Sequence, residues 1–251
     1  MMKNENQRLS QKVAIVTGGS RGIGAAIVER LAKEGASVAF TYASSEDAAT
    51  MLVERVAAAG GKAMAIRSDA ADAKAVQDAV KQTVDVFGRL DILVNNAGVL
   101  HWSPFETFSL EDFDKTVAVN VRSVFVASQA AAKHMGDGGR IINIGSCNAD
   151  RVPSAGGGVY AMSKSALVGL AAGLARDLGP RGITVNNVQP GPTDTDMNPQ
   201  NGDHAPGLHD IMAIRRHARP EEVAGMVAYL AGPEAGMVTG ANLRIDGGFA
   251  A

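Results

Sequence analysis

Short apolar runs alternate with longer stretches of helical spacing along the whole chain. The runs fall near Val13–Thr17, Ser37–Tyr42, Lys62–Arg67, Ile92–Asn95, Arg140–Gly145, Thr184–Gln189 and Asn242–Ile245, and each reads as a short strand. Between them lie segments such as Ile23–Glu34, whose apolar residues recur at helical intervals and stop at Gly35. Strand and helix in strict alternation predict β-α units and a parallel sheet. The expected fold class is α/β: a doubly wound sheet of seven strands in the order 3-2-1-4-5-6-7, with helices on both faces. Right-handed crossovers would then bring Gly18, Asn96, Ser146 and Pro190 to one carboxyl-end edge, where the strand order reverses between strands one and four.

One segment breaks the alternation. Thr193–Gly207 is rich in Asp, Asn, Pro and Gly, so a loop insertion is expected at about 193–218 within a single domain spanning 1–251. With 251 residues, 46% of them hydrophobic, the chain can build a substantial core. Lysine and arginine number 24 against 26 acidic residues, a net charge of −2, which gives no basic field for nucleic acid. Cys147 is the only cysteine, so no internal disulfide forms and a reducing compartment fits. The polar start, Met1–Ser10, shows no apolar export segment, and no later run reads as a membrane span. A cytoplasmic protein is expected.

The candidate chemistry begins at Thr17-Gly-Gly-Ser-Arg-Gly-Ile-Gly24, between the first strand and the first helix. Gly18, Gly22 and Gly24 permit a tight turn, backbone approach to a pyrophosphate and close helix–sheet packing, and free N–H groups at the helix start attract phosphate. A second constellation is Tyr160-Ala-Met-Ser-Lys164, a phenol and an ammonium four residues apart on one helix face. A desolvated ammonium beside a phenol favours phenolate, so Lys164 is expected to tune Tyr160 as an acid and base. Ser146 follows the apolar run of the fifth strand and can hold a substrate oxygen. Cys147 beside it invites a nucleophile, although no Cys/His arrangement supports one. The five scattered histidines, His204 and His209 among them, show no ligand spacing; they are read as solvent-facing or substrate-lining, and no metal is expected.

Thr17–Gly24, Asn95-Asn96-Ala97-Gly98, Asn120, Ser146, Tyr160, Lys164 and Pro190-Gly191 together resemble the short-chain dehydrogenases/reductases over nearly the whole chain, most closely the 3-oxoacyl-[acyl-carrier-protein] reductase branch. The resemblance implies a Rossmann fold, a catalytic tetrad of Asn120, Ser146, Tyr160 and Lys164, and reversible ketone reduction with a nicotinamide coenzyme. Asn120 would hold a water linking Lys164 to solvent. Coenzyme contacts are expected from Gly18, Ser20, Arg21, Gly22, Ile23, Gly24, Tyr42, Ser44, Ser45, Asp69, Ala70, Asn96, Ala97, Gly98, Tyr160, Lys164, Pro190, Gly191, Thr193 and Thr195. NADPH is expected over NADH: Tyr42 stands where NAD-preferring relatives carry Asp, and Arg21 can meet a 2′-phosphate. The plainer readings are a solvated charge for Arg21, a helix cap for Ser44 or Ser45, and a helix cap for Asp69.

His101, Trp102, Cys147 and Met197 are expected to line the substrate, with Trp102 alternatively filling the sheet edge. The substrate is either a 3-oxoacyl thioester or a small, cyclic or sugar-derived ketone or alcohol. Evidence for docking an acyl carrier protein is divided, since Arg176 and Arg181 match basic positions of such reductases but Gly136-Asp-Gly-Gly139 does not. A homotetramer is implied, assembled through helices around Leu110–His134 and Val159–Leu178 and the segment Val238–Ala251. A coenzyme-binding sensor without turnover is the alternative of another class.

Overall fold

A computed structural model describes residues 7–251 of the protein; the first six residues of the polar start lie outside the described residues. Seven parallel strands, β1 (Val13–Val16), β2 (Ser37–Tyr42), β3 (Lys62–Arg67), β4 (Leu90–Asn95), β5 (Met135–Ile144), β6 (Thr184–Pro190) and β7 (Asn242–Ile245), form one sheet. Its order is 3-2-1-4-5-6-7, the order expected. The connecting helices are α1 (Gly22–Lys33), α2 (Glu46–Ala58), α3 (Ala73–Phe87), α4 (Leu110–Val117), α5 (Ser123–His134), α6 (Gly158–Leu178), α7 (Ala205–Asp210) and α8 (Pro220–Ala231).

Period-two alternation along the central strands divides the core into two layers. Ala14, Val16, Val38, Phe40, Val94 and Ile144 pack on one face against residues of α1, α2 and α8. Val13, Ile15, Ala39, Leu93, Ile141 and Val185 pack on the other against residues of α3, α5 and α6. Each fully buried Leu, Ile or Phe contributes roughly 1.5–3 kcal/mol, so the sheet centre is the stable platform on which the loops at its carboxyl ends rest. Strand β5 starts five residues before the expected Arg140, because Met135 already pairs with Leu90; the register then shifts, and Gly136, Asp137 and Gly138 bulge into solvent.

Helix α6 corrects one reading. Gly158–Arg181 is long and apolar enough, at a mean hydropathy of 1.3, to meet a membrane-span criterion. Here it lies along the sheet with Ala161, Lys164, Leu167 and Ala171 buried, and leaves much of its apolar surface outward.

Asp72 caps α3: its side chain accepts from the backbone N–H groups of Lys74 (2.8 Å) and Ala75 (3.2 Å). The Asp72→Ala variant should lose about 1 kcal/mol of stability in urea denaturation. An unchanged midpoint would show that the cap contributes nothing.

Candidate active site

The turn after β1 is built for close approach. Gly22 adopts φ +53°, and a Cβ at Gly24 would sit 2.3 Å from the carbonyl oxygen of Gly18 and 2.6 Å from Asn96 Nδ2, so any side chain at Gly24 would break the turn. Asn96 holds it from below, donating through Nδ2 to the carbonyls of Thr17 (3.0 Å) and Gly18 (2.8 Å). Thr17 Oγ1 accepts in return from the N–H groups of Asn96 and Ala97, and Thr41 Oγ1 accepts from Gly18 N–H. No side chain caps α1. Its free N–H groups and the bare backbone before them fit a coenzyme pyrophosphate.

Ser146, Tyr160, Lys164 and Asn120 gather beside this turn. Lys164, 5% exposed, donates from Nζ to the carbonyl of Ile144, the penultimate residue before Ser146, at 2.8 Å. A methyl placed on Gly98 would lie 3.5 Å from Asn120 Oδ1 and 3.6 Å from Lys164 Nζ, so the Asn96-Ala97-Gly98 segment forms one wall of the cluster. Asn120 lies in a π-helical turn, Ala118–Arg122, between α4 and α5. Its side chain is fully engaged: Oδ1 accepts from Val99 N–H, and Nδ2 donates to the Val99 carbonyl and to Ser163 Oγ. Ser163 Oγ in turn donates to the carbonyl of Tyr160 at 2.7 Å. Ser146 Oγ accepts from Asn148 N–H.

The electrostatics differ from the expectation that Lys164 pulls Tyr160 toward phenolate. Burial pushes the Tyr160 phenol up to about 12, with the Ser146 hydroxyl opposing that rise and Cys147 adding to it. Burial also pushes the Lys164 ammonium down to about 8. The ammonium sits 5.8 Å from the centre of the Tyr160 ring and is turned to the Ile144 carbonyl. In the protein alone, then, Tyr160 is a firmly protonated acid, and Lys164 is the group that titrates near neutral pH.

The predicted nucleotide contacts lie along the same edge. Tyr42 ends β2. Ser45 occupies the N-cap position of α2 without its side chain capping, which sets aside its reading as a cap. Asp69 does not cap α3 either, since Asp72 does; Asp69 Oδ1 accepts from Ala71 N–H and shapes the turn through Ala70. Arg21 is exposed, with Nη1 3.2 Å from Asp196. Pro190 ends β6, Gly191 N–H donates to the Ile245 carbonyl, and Thr193 is buried. Thr195 folds back onto the turn, its methyl 3.2 Å from where a Gly22 Cβ would be, so the irregular segment touches the glycine turn through both Thr195 and Asp196.

The expected substrate-lining residues separate. Trp102 donates from Nε1 to the Ala155 carbonyl, and its ring lies on Gly157, where a Cβ would meet it at 2.3 Å. It therefore braces the loop that enters α6, three residues before Tyr160. His101 Nδ1 lies 2.6 Å from Asp112, and Met197 is exposed on the irregular segment. Cys147 does not line a surface: at 2% exposure it packs with Met212 and Phe249, and burial raises its thiol to about 12. His204 is exposed, and His209 is half-buried with its Nε2 2.7 Å from Nδ1 of buried His217. No cluster of three or more potential metal ligands occurs among the described residues. Arg181 is also accounted for: it donates to the carbonyls of Ala132 and Met135 at the end of α5. Arg176 is exposed.

Sequence reasoning gave no role to Thr41, Ser163, Asp196 or His217, and took Thr17 only as the opening residue of the glycine motif. Ser163 was within reach, because Tyr160, Ser163 and Lys164 follow i, i+3, i+4 spacing on one helix face. The two threonines look like ordinary strand residues, and Asp196 and His217 acquire partners only through loop folding.

A doubly wound sheet with a glycine turn, a buried lysine and a serine–tyrosine pair at its carboxyl edge defines a dinucleotide-fold oxidoreductase architecture. The sequence model of the family described as "Enoyl-(Acyl carrier protein) reductase" matches residues 18–250, and the chain belongs to the short-chain dehydrogenase/reductase family. It is 53% identical over 240 residues to the Escherichia coli K12 "Cyclic-di-GMP-binding biofilm dispersal mediator protein", covering 96% of this chain and 98% of that protein. It is 40% identical to a Synechocystis 3-oxoacyl-[acyl-carrier-protein] reductase, with 96% and 97% covered. A crystal structure of a Burkholderia cenocepacia short-chain dehydrogenase in complex with NADP superposes with a TM-score of 0.96 at 55% identity, covering 97% of this chain and all of that one.

Burial of Cys147 predicts that iodoacetamide at pH 8 leaves the native protein unlabelled and modifies it only after denaturation. Rapid native labelling would place the thiol at the surface.

Proposed function

We propose that the chain is an NADPH-dependent oxidoreductase that interconverts a ketone and a secondary alcohol. The observation that carries this reading is the buried Lys164, bonded to the carbonyl of Ile144 within the cluster that holds Ser146, Tyr160 and the Gly98 wall. Bound NADPH supplies the hydride. Ser146 and Tyr160 hold the substrate oxygen, and Tyr160, protonated across the physiological range, donates its proton to the forming alkoxide. Lys164 carries positive charge beside the phenol as it loses that proton, and would hold the coenzyme's ribose hydroxyls. The family resemblance gives Asn120 the water that links Lys164 to solvent, and the bonds of its side chain to Val99 and Ser163 fix Asn120 beside the cluster.

The preference for NADPH rests on Tyr42 in place of an acidic residue and on Arg21, whose exposed guanidinium can leave Asp196 for a 2′-phosphate because surface ion pairs are weak. The NADP-bound Burkholderia structure supports it. For the substrate, a small or cyclic ketone is favoured over a carrier-bound 3-oxoacyl group: Arg181 is turned inward to α5 and Gly136–Gly139 offers no basic patch. The Synechocystis relative keeps 3-oxoacyl thioesters in the comparison. The outward apolar surface of α6, together with exposed Leu110 and Phe125, supports a homotetramer, and the lone buried cysteine suits a cytoplasmic setting. A second reading, nucleotide binding without turnover, has the name of the E. coli relative in its favour.

A screen of acetoacetyl thioesters, cyclic ketones and sugar-derived ketones with NADPH should show turnover, with Tyr160→Phe losing at least about 100-fold in kcat while binding NADPH normally. Tight NADPH binding without turnover of any ketone would favour the second reading. In the same assay kcat/KM should be higher with NADPH than with NADH, and Arg21→Ala should lower the NADPH value about tenfold while leaving NADH nearly unchanged. A wild-type preference for NADH would overturn the coenzyme assignment.

A further inference from the structure

Four asparagines stand side by side across the sheet: Asn95 on β4 pairs with Asn143 on β5, Asn143 with Asn187 on β6, and Asn187 with Asn242 on β7. Their side chains form one hydrogen-bonded file. Asn95 Nδ2 donates to Asn143 Oδ1 at 2.8 Å, Asn143 Nδ2 to Asn187 Oδ1 at 2.9 Å, and Asn187 Nδ2 to Asn242 Oδ1 at 2.7 Å. The first three are buried, and Asn242, on the edge strand, is exposed. One contact fixes the polarity of the whole file. Asn187 Nδ2 also donates to the carbonyl of Leu167 in α6 at 3.0 Å, and a carbonyl can only accept. Asn187 must therefore turn its oxygen toward Asn143, and Asn143 its oxygen toward Asn95, whose remaining donor goes to Ser128 Oγ on α5.

The file runs just behind the reacting groups. Asn96, next after Asn95, holds the glycine turn. Ile144, next after Asn143, supplies the carbonyl that binds Lys164. Leu167, which anchors Asn187 to α6, lies three residues beyond Lys164 on the same helix. Asn187 thus ties the helix that carries Lys164 to the strand that carries its acceptor, with Asn143 as the link.

We propose that Asn143 and Asn187 are positioning residues for Lys164, setting the separation of α6 and β5 at which its ammonium reaches the Ile144 carbonyl. This rests on the catalytic assignment of Lys164 given above. Removing a middle rung leaves a buried donor and a buried acceptor without partners, and the helix can shift to relieve them. A displacement of about 1 Å at such a site costs on the order of 100-fold in rate.

The test compares Asn143→Leu with Asn143→Thr, whose hydroxyl can both donate and accept. Asn143→Leu should lose about 30- to 100-fold in kcat, keep its NADPH Kd within about threefold, and move the pH inflection of ketone reduction upward by about one unit as water reaches the ammonium. Asn143→Thr should recover most of the loss and the original inflection. Asn242→Ala, at the exposed end of the file, should show a milder loss of about threefold in the same direction, and decides the matter when Asn143→Leu does not fold. Wild-type kcat and inflection in a folded Asn143→Leu would overturn the proposal, as would failure of threonine to improve on leucine, or, where leucine does not fold, wild-type behaviour of Asn242→Ala. A wild type that reduces no ketone defeats the proposed function alone. The ladder is then judged from the NMR titration of the Lys164 amine, which shifts in Asn143→Leu and returns in Asn143→Thr under the proposal and stays fixed otherwise.

Discussion

The bond between the Lys164 ammonium and the Ile144 carbonyl is the constraint around which the site is arranged. A cation this deeply buried requires a fixed acceptor, and the end of a central parallel strand supplies one that cannot move without disturbing the core. The arrangement carries a cost. Because burial lowers the Lys164 pKa to about 8, protonating it in the folded state is harder than in the unfolded chain, and at pH 7 this opposes folding by about 3 kcal/mol. The cost is fully present below pH 8 and fades as the pH rises toward the ordinary lysine value, so stability from this group increases across that interval. Folding thus maintains a strained, titratable cation where the chemistry is proposed to occur.

The neighbouring phenol responds to the same burial in the opposite sense. Tyr160 is held in its neutral form, which suits a proton donor in ketone reduction; alcohol oxidation would need the phenolate and so would gain from higher pH. Desolvation moves the two pKa values in opposite directions, with Lys164 buried and Tyr160 half-buried, and Lys164 faces a backbone carbonyl in preference to the phenol. Around them the remaining contacts restrict motion: Trp102 braces the entrance to α6, Asn96 fixes the glycine turn, and the segment carrying Thr195 and Asp196 rests on that turn.

Much of the sheet was legible because strand patterns and turn residues are local signals. β2, β3 and β7 begin and end where their apolar runs do, and the strand order is the one the family resemblance implies. The extension of β5 was not legible, because glycines do not look like a strand until Met135 finds Leu90. Hydropathy alone gives α6 two meanings, a membrane span or a sheet-packed helix, and only its buried lysine and serine separate them. The helical spacing of Tyr160 and Lys164 was correct, but the direction of the ammonium was not, since the Ile144 carbonyl that captures it leaves no trace in side-chain sequence. The surroundings of Arg181, Cys147 and His209 were hidden for a common reason: each finds a tertiary partner, respectively the end of α5, Phe249 and His217, that spacing along the chain cannot reveal.

The most direct measurement is the NMR titration of the wild-type Lys164 side chain, assigned by comparison with a Lys164→Arg protein. The account predicts a midpoint near 8, with the resonance protected from solvent exchange. A midpoint at the ordinary lysine value, with free exchange, would contradict it, because the ammonium would then be hydrated and not held at the end of β5.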